Sequence, residues 1–83
     1  MTPSDFSRLA ELAADRGWAL ACPTIAGRSY YDPATRETAE RAAREFETAA
    51  ILWRTVCPRS YAECMIQARN YREGATLADR GLI

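Results

Sequence analysis

The chain has 83 residues, of which 48% are hydrophobic and 27% charged, a composition typical of one small globular domain spanning residues 1–83 and not of a disordered tail. Eleven acidic residues balance eleven basic ones, so the basic excess that marks most nucleic-acid-binding domains is absent. Every basic residue is Arg and no His occurs, which removes the usual general bases and nucleophilic amines of enzymes.

The first helix is predicted over residues 3–16. Thr2 or Ser4 is placed to cap its N-terminus, and Pro3 suits the first turn. Gly17 is predicted to follow the last helical residue, because glycine is common just past a helix end. The residues of its apolar stripe are Phe6, Leu9, Ala10, Leu12 and Ala13.

Residues 17–31 form the one long stretch without a helical pattern, and they are too apolar to be disordered. They favour a short β-hairpin in which residues 18–22 face residues 28–31 across residues 23–27, with a loop as the alternative. Because an isolated hairpin is marginal in water, we expect it to lie against the helices.

The second helix has the strongest pattern in the chain. Asp32 is the predicted N-cap and Pro33 the first helical residue. Apolar residues then recur at steps of three and four for about six turns without Gly or Pro. These residues are Ala39, Ala42, Ala43, Phe46, Ala49, Ala50, Trp53 and Val56. The alternative ends the helix near Thr48 and makes residues 51–57 a strand, but the unbroken period favours the helix.

The third helix is predicted to begin at a capping-box pattern, with Ser60 as N-cap and Glu63 three residues later. Its apolar positions continue to Leu82, and Gly74 is a weak point that leaves one helix or two shorter ones open. The short link at Pro58 makes the second and third helices an antiparallel hairpin. The predicted fold is therefore mainly α, with three helices and a short β-hairpin between the first two.

The three cysteines, Cys22, Cys57 and Cys64, match no zinc-binding pattern, so we expect no metal and no cofactor. The dipole of the third helix favours a Cys64 thiolate, whereas its place on the apolar stripe disfavours one, and we expect Cys57 and Cys64 to be small core residues. The longest strictly apolar run covers residues 49–53, far too short for a membrane span. A cytoplasmic protein with free thiols and no catalytic activity is therefore expected.

Trp18, Arg28, Tyr30 and Tyr31 make protein binding the favoured function, since Trp, Tyr and Arg are the residue types most enriched at binding hot spots. Neighbours on a strand point to opposite faces, so one sheet face cannot bury both tyrosines. The alternative is that Trp18 and one tyrosine simply cover the helical hairpin. Replacing both tyrosines with Ala is expected to weaken binding while leaving the fold intact.

Two other interactions are compatible with the sequence. A homodimer through the second helix is one, because Ile51 and Leu52 widen its apolar arc. A helical nucleic-acid-binding regulator is the other, with contacts on the third helix at Arg59, Gln67, Arg69 and Arg72.

The general profile of a short chain without the usual catalytic groups resembles phage or mobile-element accessory proteins, including anti-CRISPR-type inhibitors, and this resemblance rests on no motif. It is a resemblance of type. It implies an inhibitor or adaptor that occupies a surface of a larger complex.

Overall fold

Three helices and one two-stranded hairpin make up the fold in a computed structural model that describes residues 1–83. Helices α1 and α3 both pack on α2, and the molecule is flat, with extents of 44 × 25 × 17 Å. The predicted mainly α architecture, the antiparallel α2–α3 hairpin and the short sheet between α1 and α2 are confirmed. The elements are α1 Pro3–Ala21, β1 Thr24–Ile25, β2 Arg28–Ser29, α2 Arg36–Trp53 and α3 Pro58–Glu73.

Helix α1 begins at a capping box. The Thr2 hydroxyl accepts a hydrogen bond from the Asp5 backbone N–H at 3.2 Å, and the Asp5 carboxylate accepts one from the Thr2 backbone N–H at 3.0 Å. The predicted end at residue 16 is wrong, because Gly17 is buried inside the helix. A Cβ at Gly17 would lie 2.8 Å from Cε2 of Phe46, so glycine here permits the close approach of α1 to α2.

The β-hairpin is shorter than predicted. Thr24 pairs with Ser29 and Ile25 with Arg28, whereas most of residues 18–22, the predicted first strand, belong to α1. Ala26 and Gly27 form the two-residue turn with φ values of 53° and 78°. Two positive φ values in succession are typical of a type I′ turn, whose twist matches that of the strands.

Helix α2 begins later than predicted, since Thr35 and not Asp32 is its N-cap. The Thr35 hydroxyl accepts a hydrogen bond from the Thr38 backbone N–H at 3.2 Å. Asp32 instead accepts one from Nη1 of Arg80 at 2.7 Å. The helix ends at Trp53, so residues 51–53 are helical and the alternative strand is wrong, as is the extension to Val56.

Helix α3 begins earlier than predicted, with Cys57 as N-cap and Pro58 as the first helical residue. The predicted start at Ser60 is therefore wrong. Pro suits the first helical position because a backbone N–H there would have no partner inside the helix. The helix ends at Glu73, and its predicted continuation to Leu82 is also wrong. A Cβ at Gly74 would lie 2.8 Å from the Asn70 carbonyl oxygen, so glycine suits the tight end of the helix.

Residues 75–83 fold back against the loop that precedes α2. The backbone N–H of Leu77 donates to the Pro33 carbonyl, and that of Ala78 donates to the Ala34 carbonyl, both at 2.9 Å. The Thr76 side chain is fully buried, as is that of Leu77. The C-terminal segment therefore adds to the core without forming a helix.

Arg36, the first residue of α2, ties the end of α3 to this segment. Its Nη1 donates to the carbonyl oxygens of Tyr71 and Arg72, at 3.2 and 3.0 Å, and its Nη2 donates to that of Gly74 at 2.6 Å. The Nη2 atom also lies 3.4 Å from the Asp79 carboxylate. One guanidinium thus satisfies carbonyls that the last turn of α3 leaves free.

The core is built mainly of small side chains, with Phe46 and Leu77 as its large fully buried apolar residues. Small residues let helices pack closely, but they bury little apolar surface. No helical segment of this fold has both the length and the hydropathy that crossing a bilayer requires. The buried small residues of the three helices are Ala10, Ala13, Gly17, Ala21, Ala39, Ala42, Ala43, Ala49, Ala50, Cys64 and Ala68.

Candidate functional site: an aromatic groove

A cavity of about 440 Å³ opens between α1 and α3, with α2 as its floor. Two residues come from α1, two from α2 and four from α3. We call this cavity the aromatic groove. It is lined by Ala14, Trp18, Phe46, Trp53, Ser60, Glu63, Cys64 and Gln67.

The groove exists because α1 and α3 both pack along the buried face of α2 and much less against each other. Ion pairs mark the two sides: Arg16 of α1 pairs with Glu45 at 2.9 Å, and Arg72 of α3 pairs with Glu47. Residues 45 and 47 are about 200° apart around a helix, so the two ion pairs flank the buried face of α2. The space left between them along α2 is the groove.

Three aromatic rings partly fill this space near the C-terminal end of α1. Trp18 lies edge-on to Phe46, with ring centroids 5.0 Å apart, and Phe46 stacks on Tyr71 of α3 at 5.6 Å. Trp18 and Tyr71 also meet edge to face at 6.2 Å. Burial raises the pKa of the Tyr71 hydroxyl, whereas the Trp18 side chain stays 43% exposed. Packed rings therefore occupy this end of the groove, and part of the Trp18 side chain remains exposed.

The polar groups of the groove all come from α3. Ser60, Glu63 and Gln67 lie on one side of that helix, since their spacing is three and four residues. Glu63 is the only charged residue among the lining residues. Its Oε1 atom lies 3.4 Å from Nε of Arg59, and both side chains are largely exposed. The groove thus offers an acidic and amide edge beside its aromatic surface.

The three thiols lie in different surroundings. Cys64 is buried in the wall of the groove, and this burial raises its pKa, as it also does for Cys22. The expectation that Cys64 is a core residue is confirmed. The same expectation for Cys57 is wrong, because Cys57 is the half-buried N-cap of α3. Its thiol makes no close capping hydrogen bond, but the Ser60 hydroxyl and backbone N–H lower its pKa.

Cys57 is expected to react faster with a disulfide reagent near neutral pH than the other two thiols. The thiolate is the reactive form, and a lowered pKa gives Cys57 more thiolate at a given pH, whereas the raised pKa of Cys22 and Cys64 gives less. Its rate should also level off at a lower pH. The measurement is a labelling time course in which C57S removes the fast phase. A fast phase that persists in C57S would contradict this order.

The structure divides the four predicted partner-binding residues into two groups. Trp18 lies on α1 and packs on Phe46, so its predicted place in the hairpin is wrong. The guanidinium of Arg28 lies 5.4 Å from the centre of the Tyr30 ring, within the range of a cation–π contact. Tyr31 is 85% exposed and Tyr30 is half-buried, so the two tyrosines are not buried together. The hairpin follows α1 directly, after the end of that helix which carries Trp18, but none of its residues lines the groove.

The four predicted nucleic-acid contacts do not form a free basic patch. Gln67 lines the groove, whereas none of the three arginines does. Each arginine has a carboxylate partner: Arg59 pairs with Glu63, Arg69 with Glu73, and Arg72 with Glu47. Phosphate binding would have to compete with these ion pairs.

The apolar residues of α2 that suggested a homodimer do not share one exposed face. Phe46 is 1% exposed and Trp53 lines the groove, whereas Ile51 is 73% exposed. Five residues separate Phe46 from Ile51, a rotation of about 140° around the helix, so the two residues face different directions. Leu52 is half-buried.

Sequence reasoning did not group Ala14, Ser60 and Glu63 with Trp18. The spacing of Ser60, Glu63 and Gln67 along α3 was a visible signal that they share a side of the helix. Nothing local indicates that this side faces Trp18, because the contact depends on how α1 and α3 pack on α2.

The lining of the groove combines aromatic side chains with a few polar ones. An aromatic surface with a few polar groups at one edge is the usual composition of a pocket that holds a ligand or a side chain. No group of three Cys, Asp or Glu side chains lies within reach of one metal ion. Comparison with protein families, with curated protein sequences and with solved structures found no match to this chain.

Proposed function

We propose that this protein is a non-enzymatic binding module that holds a protein partner through the aromatic groove and the adjacent hairpin. The observation that carries the proposal is the open groove lined by both tryptophans of the chain, Trp18 and Trp53. Buried Trp side chains supply much of the binding energy in protein interfaces, because they cover a large area at a small cost in side-chain entropy.

The hairpin supports the same proposal. Tyr31 projects into solvent, and Arg28 lies over Tyr30 at its side. Exposed Tyr and Arg side chains are typical of a surface that becomes buried on association. The proposed interface thus has Trp18 and Trp53 at its centre and the hairpin residues at its edge.

In its more specific form, the proposal is an inhibitor or adaptor of the phage or mobile-element kind, which acts by occupying a surface of a larger complex. A thickness of 17 Å suits a protein that is held flat against a partner. The three free thiols support a reducing compartment such as the cytoplasm.

The test is affinity capture with the tagged full chain in a lysate of cells that express it, followed by binding measurements with the purified partner. Q67F replaces the half-buried Gln67 of the groove wall with a larger ring that takes up part of the groove, and Y31A removes the exposed ring that follows the hairpin. We expect Q67F to raise the Kd about tenfold or more and Y31A to raise it by a smaller factor.

The matched control is I51A, which removes an exposed apolar side chain of α2 outside the groove. We expect I51A to bind like the wild type, and all three variants to keep the wild-type melting temperature within a few degrees. Equal affinity of Q67F and the wild type would contradict the proposal. Binding that disappears on nuclease treatment and weakens steeply with salt would support the nucleic-acid alternative instead.

A further inference from the structure

We propose that the aromatic groove receives a basic side chain, Arg or Lys, of a protein partner. This inference rests on the proposed function and specifies what part of the partner the groove recognises. It follows from three features of the groove: two indole rings, one carboxylate and no basic residue among the lining side chains.

The indole rings are the first feature. Trp18 comes from α1 and Trp53 from α2, so the groove has an indole on its wall and another on its floor. The face of an indole carries negative electrostatic potential, and Trp is the aromatic residue that attracts cations most strongly. Trp18 keeps 43% of its surface exposed although it contacts Phe46 and Tyr71, so ring surface remains for a ligand.

The charge of the lining is the second feature. An anionic side chain would meet the Glu63 carboxylate, whereas the Arg59 guanidinium that pairs with this carboxylate is not among the lining residues. A purely apolar side chain would remove water from Ser60, Glu63 and Gln67 without offering them hydrogen bonds, which is costly. A basic side chain avoids both penalties, because its alkyl stem covers apolar surface while its charged head donates to a carboxylate.

The present partner of Glu63 is the third feature. Glu63 already pairs with a guanidinium, that of Arg59, through Oε1. This ion pair lies on one helix at i,i+4 spacing, and exposed pairs of this kind contribute little to stability. A guanidinium or ammonium group that enters the groove can therefore share or displace this contact at small cost.

The two tryptophans make the inference directly measurable. Both line the groove, so the two indole N–H signals in a proton–nitrogen NMR spectrum report on binding there. The probes are the blocked amino acids N-acetyl-arginine, N-acetyl-norleucine and N-acetyl-glutamate methylamides at constant ionic strength. We expect the arginine probe to shift both signals with a Kd about fivefold or more below that of norleucine. The glutamate probe should cause no shift.

Two variants identify the carboxylate. E63Q is expected to weaken arginine binding about threefold or more while leaving norleucine unchanged, and R59A is expected to strengthen arginine binding or leave it unchanged. Norleucine binding equal to or tighter than arginine would overturn the charge preference but leave the groove as a binding site. Indole signals unmoved by every probe would overturn this inference, while capture with Q67F would still decide the proposed function separately.

Discussion

Replacing Phe46 with Ala is expected to lower the free energy of unfolding by about 3–5 kcal/mol. Phe46 is 1% exposed and lies where α1, α2 and α3 meet, in contact with Trp18, Tyr71 and Gly17. A small domain is stable by only about 5–10 kcal/mol, so this single change should consume much of its stability. Urea denaturation followed by circular dichroism measures the difference.

The cost should lie at the upper end of that range because the neighbouring core residues are small. Ala13, Ala43, Ala49 and Ala50 surround the ring in the same cluster, and methyl side chains cannot move in to fill the space that the ring leaves. The residual cavity adds to the loss of transfer free energy.

The control for this prediction is I51A on the same helix. Ile51 is 73% exposed, so its truncation should change the free energy of unfolding by less than about 0.5 kcal/mol. If F46A cost no more than I51A, the centre of the core would have been assigned wrongly. An unchanged slope of the unfolding free energy against urea concentration would indicate that F46A and the wild type expose the same amount of surface on unfolding.

The helical spacing of the apolar residues in α2 was sufficient to predict the part of the core that α2 contributes. Apolar residues at steps of three and four placed Ala39 through Trp53 on one stripe, and the structure buries most of them. The ends of the helices were harder to predict, because several residues compete for each cap. Thr35 and Asp32 are both good N-cap residues. Thr35 caps α2 in the structure, whereas the Asp32 carboxylate pairs with Arg80, which is distant in the sequence.

Glycine was misleading at one helix end. Gly17 has the local character of a residue past the C-terminus, yet it lies inside α1. Its role depends on Phe46, 29 residues away, whose ring occupies the space that a side chain would need. Such a tertiary contact overrides the local preference. Because α1 continues past Gly17, Trp18 lies in the helix and not in the predicted strand.

The candidate site was only partly predictable for the same reason. Trp18 was correctly singled out as a residue of interest, but as part of the hairpin. The groove depends on how α1 and α3 pack side by side on α2, and the sequence contains no local signal for that arrangement. Hot-spot composition therefore identified residue types, whereas only the packing of the three helices shows which of them lie together.

Replacing Leu77 with Ala is expected to lower the free energy of unfolding by about 2–5 kcal/mol, although Leu77 lies outside every helix. Its side chain is 1% exposed, and its backbone N–H donates to the Pro33 carbonyl. Truncation should loosen residues 75–83, which Arg36 ties to the end of α3. Thermal unfolding measures the overall effect, and amide hydrogen exchange of Leu77 and Ala78 measures the local one.

L82A is the matched control, and it also tests how the chain continues after Gly74. The helical period of the sequence places Leu82 on the buried stripe, whereas the structure leaves it 57% exposed and buries Leu77. We therefore expect L82A to cost less than about 1 kcal/mol. A larger loss for L82A than for L77A would mean that α3 continues beyond Glu73, as its period indicates. A larger loss for L77A than for L82A is the result we expect. In the structure, contacts with Arg36 and Pro33 hold residues 75–83 in a non-helical path, and a continued α3 would not make these contacts or bury Leu77 in this way.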